Sequence, residues 1–198
     1  MGYTLLARAL LLVILSLTAT IYLPGLYSGF FMDDYPNLHQ LPEIRESGYF
    51  YYIFSGVSSF LGRPLSLSSF ALQYPYWPAH PFAFKSVNLA VHLINGILVF
   101  VICNRLSGRL QFNPRDVVIF SCGVTALWLL HPIQISTTLY VVQRMTQLSA
   151  LFTLAGIFFY LRFRPDPGKY ASYGYMLATG AGLYLFLIMA VLCKENGI

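Results

Sequence analysis

Apolar residues fall along this chain in long uninterrupted blocks, and several blocks approach the roughly 20 residues that an α-helix needs to cross a bilayer. The first is TLLARALLLVILSLTATIYL, residues 4–23, and the second is SVNLAVHLINGILVFVICNRL, residues 86–106. The third, VVIFSCGVTALWLL, is short, but Asn113 and Pro114 before it supply an N-cap and a first helical position. Counted from Pro114 to His131 it reaches about 27 Å at the α-helical rise, enough with slight thinning of the bilayer. A fourth helix is predicted over 137–162 and a fifth, YGYMLATGAGLYLFLIMAVL, over 173–192. The pattern predicts an all-α integral membrane protein, a multi-pass helical bundle with five spanning helices. A cleaved signal peptide rivals the first block, because Arg8 precedes the apolar run and small residues follow; the length of the run and the lack of an A-x-A site favour an uncleaved helix.

Between the first two blocks lies a segment, residues 24–85, too long for a connector and too polar to span. Its aromatic run GYFYYIFSGVSSFLG reads as interfacial helices lying on the membrane with Tyr and Phe at headgroup level, a globular loop being the alternative. No internal repeat or low-complexity tract appears, so residues 1–198 read as one membrane domain.

Composition strengthens the reading: 57% of residues are hydrophobic, 17% aromatic and only 10% charged. The net charge of +5 does not point to nucleic acid, because the basic residues sit singly or in small groups near the ends of apolar blocks. With the N-terminus cytoplasmic, Arg8 and the connections NRLSGRLQFNPRD and RFRPDPGK hold seven of the 12 Lys and Arg but two of the 7 acids, as the positive-inside rule requires. Cys103, Cys122 and Cys193 form no CxxC pair and mark neither a disulfide framework nor a zinc site.

That orientation gathers the unusual chemistry on one face: Asp33 and Asp34, GRPLS at 62–66, HPIQ at 131–134, Gln143 with Arg144, and CKENG at 193–197. Adjacent side chains on an extended segment point to opposite faces, so one Asp would meet substrate while the other positions the loop; on a helical turn both would edge one cavity. Two neighbouring carboxylates are also a partial site for a hard divalent cation. Lys85, Asn88, His92 and Asn95 form one stripe of the second helix, which must face protein or water. For Asn88 and Asn95 interhelical hydrogen bonding is the favoured reading, whereas His92 is a candidate for lining a cavity. Tyr140, Arg144 and Gln147 share a face of the fourth helix; Arg144 either snorkels or offers its donor fork to a phosphate. Lys194 and Glu195 form a local ion pair or a charged pair at a ligand headgroup, and His131 before Pro132 either ends a helix or joins the site.

In sequence, DD, G-R-P-L-S, N-x-x-x-H-x-x-N, H-P-I-Q, Q-R-M-T-Q-L-S-A-L-F and C-K-E-N-G resemble the polytopic GT-C glycosyltransferases, in particular the O-mannosyltransferase-like branch whose members often carry tetratricopeptide repeats. The resemblance runs from about Gly29 to Gly197. It implies a GT-C-like bundle whose long first loop is periplasmic or luminal, in a bacterial inner membrane or the endoplasmic reticulum membrane. It also implies that Asp33 or Asp34 is the base activating an acceptor hydroxyl, on a protein or glycan, to attack with inversion a sugar carried on a polyprenyl phosphate. Arg144, Lys194 and, in a supporting place, Arg63 or His92 are then the groups facing the leaving phosphate, with His131 and Glu195 at the same site. Members of the family have more spanning helices than this, so the chain is expected to be part of a longer protein, and inactive alone. The resembled enzymes generally work without a metal, which leaves a divalent cation as an alternative. A non-catalytic membrane subunit and a lipid-linked sugar transporter are the competing functions.

Overall fold

The computed structural model describes residues 2–55, 62–164 and 172–195. Among them every regular element is helical, and four helices are long and apolar enough to cross a membrane: Gly2–Leu26, Pro81–Arg109, Val141–Phe163 and Tyr173–Cys193. The chain is an all-α polytopic membrane protein. We number its α-helices α1 (Gly2–Leu26), α2 (Asp34–Leu38), α3 (Ile44–Ser55), α4 (Pro64–Ala71), α5 (Pro81–Arg109), α6 (Pro114–Leu130), α7 (Gln134–Leu139), α8 (Arg144–Phe163) and α9 (Tyr173–Cys193). The connection RFRPDPGK beyond Arg164, and Asn196 and Gly197 of the last motif, lie outside the described residues.

Helix α5 is central and packs against α1, α6, α7 and α8, while α9 lies on the far side of α8. Pro81 and Pro114 sit at the starts of α5 and α6, where a missing N–H costs nothing and the fixed φ is already helical. At one end of the bundle Ala7 of α1 packs with Phe100 of α5 and with Val118 and Cys122 of α6; at the other, Tyr22 and Leu26 pack with Leu89. Helices α1 and α5 therefore run antiparallel. Gly96 of α5 faces Leu129 so closely that an added Cβ would lie 2.6 Å from the leucine side chain, which explains a glycine at a position in mid-helix. Helix α6, expected as the third of five spans, has 17 residues, about 26 Å, short of the roughly 30 Å hydrocarbon core.

The helix expected over 137–162 is interrupted. Tyr140 is extended (φ −79°, ψ 120°), a 3₁₀ turn follows over Val141–Gln143, and only then does α8 begin. Tyr140 therefore does not share a helical face with Arg144 and Gln147. No Pro or Gly lies at the break, and its cause is tertiary, as described below.

The described residues of 27–55 and 62–80 fold over the ends of α5 and α8 as short helices and turns. Leu38, Leu41, Ile44, Tyr52, Leu67 and Phe70 bury themselves against Phe84, Val142 and Met145. Gly48 turns the chain within α3 at φ 82°, ψ 163°, a conformation open in practice to glycine alone. Beyond it Phe50 is 80% and Phe54 72% exposed while Tyr52 is 4% exposed, so the aromatic run has one buried and one outward face. Residues 56–61 of that run lie outside the described segments.

Candidate functional site

The two adjacent acids are divided between solvent and core. Asp34 is fully buried; its Oδ2 accepts the Phe31 N–H at 2.9 Å and its Oδ1 the Val142 N–H at 2.9 Å. It thereby ties the beginning of the first loop to the turn preceding α8. Burial raises the pKa of its carboxyl above the usual range, opposed by those two amides and by the charge of Lys85. Asp33 precedes α2 with a helical backbone (φ −71°, ψ −18°), its carboxylate is exposed and bonds no amide of that helix, and its carbonyl accepts Asn37 Nδ2 at 2.7 Å. A helical turn does not bring both carboxylates to one cavity here, because successive side chains on a helix diverge by about 100°.

The stripe on α5 is a sealed seam. Lys85 Nζ donates to Ser28 Oγ at 2.6 Å and to the Gly29 carbonyl at 2.7 Å, over the face of Phe31. Asn88 Nδ2 donates to the Tyr140 carbonyl at 2.9 Å and to that of Val141 at 3.3 Å. With Asp34 taking the Val142 N–H, the backbone groups freed by the interrupted helix are satisfied from other parts of the chain. His92 Nε2 donates to the Leu129 carbonyl at the end of α6 at 3.1 Å, its ring stacked 5.1 Å from Trp128. Asn95 Nδ2 donates to the Gln147 carbonyl at 3.0 Å. Such interhelical bonds average about 0.6 kcal/mol, so the seam holds through their number.

Arg144 belongs to the same seam. Nε donates to Asn88 Oδ1 at 2.8 Å, Nη1 to the Ser69 carbonyl at 3.1 Å and Nη2 to the Phe84 carbonyl at 2.8 Å, with the guanidinium 4.7 Å from the Phe70 ring. It is fully buried and clasps α4, α5 and α8 instead of presenting a fork to an incoming phosphate or to lipid headgroups. His92, 1% exposed, is likewise enclosed by packed helices and does not line an open cavity.

Three other candidates meet at an accessible rim. Arg63, left-handed at φ 49° just before α4, sends Nε and Nη2 to Glu195 Oε2 at 3.0 and 2.8 Å and Nη1 to Met145 Sδ at 3.4 Å. The side chains of the pair are 20% and 31% exposed. Lys194, just past the end of α9, donates to Thr146 Oγ1 at 2.8 Å. Burial and the repulsion of Arg63 lower its pKa, against the attraction of Glu195, whose own carboxyl is held low by the Arg63 hydrogen bond. Ser66 Oγ donates to the Cys193 carbonyl at 2.9 Å and fastens α4 to the end of α9. The stretch 142–146 thus carries the anchor for Asp34 at Val142, the clasp at Arg144, and contacts to Arg63 at Met145 and to Lys194 at Thr146.

His131 stands apart, exposed after the end of α6, its Nδ1 accepting the Ile133 N–H at 3.2 Å beside a pocket lined by Trp128 and Gln134. Among the described residues no three His, Cys, Asp or Glu side chains gather where they would hold a metal ion. Ser66 and Thr146 lie inside the G-R-P-L-S and Q-R-M-T-Q motifs, but nothing in the sequence shows that their hydroxyls bond Cys193 and Lys194; Lys85 stood in the stripe but gave no sign that it fastens the loop.

The chain is 30% identical over 138 residues to human protein O-mannosyl-transferase TMTC3, an alignment covering 69% of this chain and 13% of that protein. It is 26% identical to mouse TMTC3 over 200 residues, 94% of this chain and 20% of the relative. With mouse protein O-mannosyl-transferase TMTC4 it shares 29% over 143 residues, 69% and 19% of the two chains. The chain spans about a fifth or less of the length of these curated relatives. No family model matches the chain, and no solved structure matches it.

Proposed function

We propose, from this distant homology to protein O-mannosyl-transferases, that the chain forms part of a membrane glycosyltransferase that moves a sugar from a polyprenyl-phosphate carrier to a hydroxyl of a protein acceptor. The observation that carries the reading is the division of labour between the acids: Asp34 is pinned by two amides, which anchors the backbone from which the neighbouring Asp33 carboxylate reaches solvent. In the proposed step the Asp33 carboxylate takes the proton of the acceptor hydroxyl as its oxygen forms a bond to the anomeric carbon. The bond from that carbon to the phosphate oxygen breaks, the electron pair leaves with the phosphate, and the configuration inverts. Arg63 and Lys194 are the cations of the accessible rim and are assigned to the phosphate, where fixed positive charge stabilises the developing negative charge. The face bearing Asp33 is proposed to be periplasmic or luminal, and transfer to proceed without a resident metal, so that a chelator leaves the rate unchanged.

The test uses the complete protein that contains this segment, in liposomes with a polyprenyl-phosphate sugar donor and acceptor peptide. Asp33→Asn should lower turnover about 10²–10⁴-fold, the usual worth of a positioned base, while donor binding and thermal midpoint stay near the parent. Asp34→Asn should instead destabilise the fold by about 1–3 kcal/mol, read as a lower thermal midpoint, through the loss of an acceptor for a buried amide. Normal turnover of Asp33→Asn would remove Asp33 from the chemistry and favour a non-catalytic membrane subunit.

A further inference from the structure

The end of the bundle opposite Asp33 carries a feature that the glycosyltransferase reading does not use. Between α1 and α5 lies a pocket of about 360 Å³ lined by Thr4, Ala7, Arg8, Phe100, Val101, Asn104 and Arg105. Two arginines, an asparagine and Thr4, from two helices, thus line a recess whose remaining walls are apolar. The Arg105 guanidinium lies 4.8 Å from the centre of the Phe158 ring, which fixes its direction before any ligand arrives. Among the described residues no carboxylate pairs with Arg8 or Arg105; the acid at this end, Asp116, faces Asn113 at 3.3 Å. The contrast with Lys85 and Arg144, whose donors are taken up by oxygens of the protein itself, marks this positive charge as directed outward.

The surroundings select the occupant. Val101 lies on the face of α5 that continues through Ile97, Ile94 and Val87, which are 38%, 47% and 37% exposed. An apolar track therefore leads from the pocket toward the middle of the membrane. A ligand that joins an anionic head to a hydrocarbon tail satisfies both parts, and a free anion satisfies only the first. We infer that the groove between α1 and α5 binds an anionic phospholipid, its phosphate held by Arg8 and Arg105 with Asn104 beside it and an acyl chain along Val101, Ile97 and Ile94. Basic pockets between spanning helices hold anionic headgroups in this manner. The site is independent of the catalytic proposal, and its role would be to fix the tilt of α1 against α5.

Native mass spectrometry of the complete protein in detergent tests it, with palmitoyl-oleoyl phosphatidylglycerol, the matched phosphatidylcholine and inorganic phosphate as probes. Phosphatidylglycerol should be retained in preference to phosphatidylcholine, and inorganic phosphate should not displace it. The double substitution Arg8→Gln, Arg105→Gln should weaken retention about tenfold or more, and the double Lys variant should keep most of it. Helicity by circular dichroism monitors folding. Should the Gln variant fail to fold, Val101→Trp, which fills the pocket without altering its charge, must also weaken retention. Equal retention of both lipids, displacement by inorganic phosphate, or unchanged retention in a folded Gln variant or in Val101→Trp overturns the assignment.

Discussion

Two sets of cations lie near the same end of the bundle, and the protein treats them oppositely. Arg144 and Lys85 are sealed, their donors aimed at carbonyls and side chains of neighbouring segments. Arg63 and Lys194 sit at a rim, joined to Glu195 and Thr146 by contacts that solvent reaches. Removing a cation from water costs several kcal/mol, which its hydrogen bonds only just repay, so a sealed Arg secures one arrangement of helices and is not free to bind. In an apolar protein the presence of a charge inside a helix therefore says little about ligands. Enclosure decides: Arg144 is fully buried, whereas the Arg63 side chain keeps 20% of its surface in solvent.

The strongest challenge to this contrast is Arg144→Met. Loss of the clasp leaves the Asn88, Ser69 and Phe84 oxygens without their donor, and we expect a destabilisation on the order of 3–5 kcal/mol, read as loss of monodisperse protein and a fall in thermal midpoint. Lys at that position should not rescue, because a point charge does not reach three acceptors spread around a planar fork. Arg63→Met, by comparison, should change stability by less than about 1 kcal/mol, as exposed pairs do, yet lower turnover. A well-folded Arg144→Met protein with lost turnover would break the division by moving the sealed cation into the chemistry.

A smaller effect distinguishes His92. Phenylalanine there preserves the stack on Trp128 but strands the Leu129 carbonyl, so a cost of about 1–2 kcal/mol with turnover retained is expected from the seam. A selective loss of turnover in that variant would show that the seam reaches the substrate.

The mildest test is the pH response of the rim. The Glu195 pKa is lowered by its Arg63 hydrogen bond, so the stabilisation it gives is present above the unfolded carboxylate value and is lost as pH falls through the lower folded value. The thermal midpoints of the parent and Glu195→Gln should therefore differ slightly near neutral pH and converge on acidification. A difference that persists in acid would mean that packing, and not charge, links α9 to the residue before α4.

Much of the scaffold was legible because hydrophobic length is a local property. The blocks at 4–23, 86–106 and 173–192 correspond to helices α1, α5 and α9, each somewhat longer in the structure, and the spacing of Lys85, Asn88, His92 and Asn95 shows one face. The interruption at Tyr140 was not legible, because the residues that compensate it, Asp34 and Asn88, lie 108 and 53 positions from their partners Val142 and Val141. Nor does composition tell Arg144 from Arg63: both are single arginines in polar motifs, and only the fold places one under Phe70 and Phe84 and the other beside solvent. The Asp pair shows the same limit, since neither sequence geometry foresaw a helical backbone with one carboxylate in the core and one outside.

The interruption before α8 also has a consequence for synthesis. Both groups that complete it, the Asp34 carboxylate and the Asn88 amide, precede it in the chain and leave the ribosome first. A helix running unbroken through 134–163 would keep those backbone groups for itself, whereas the interrupted one gives them to partners that are already made when this segment emerges. The order of translation thus puts the template ahead of the part that has to be bent to it.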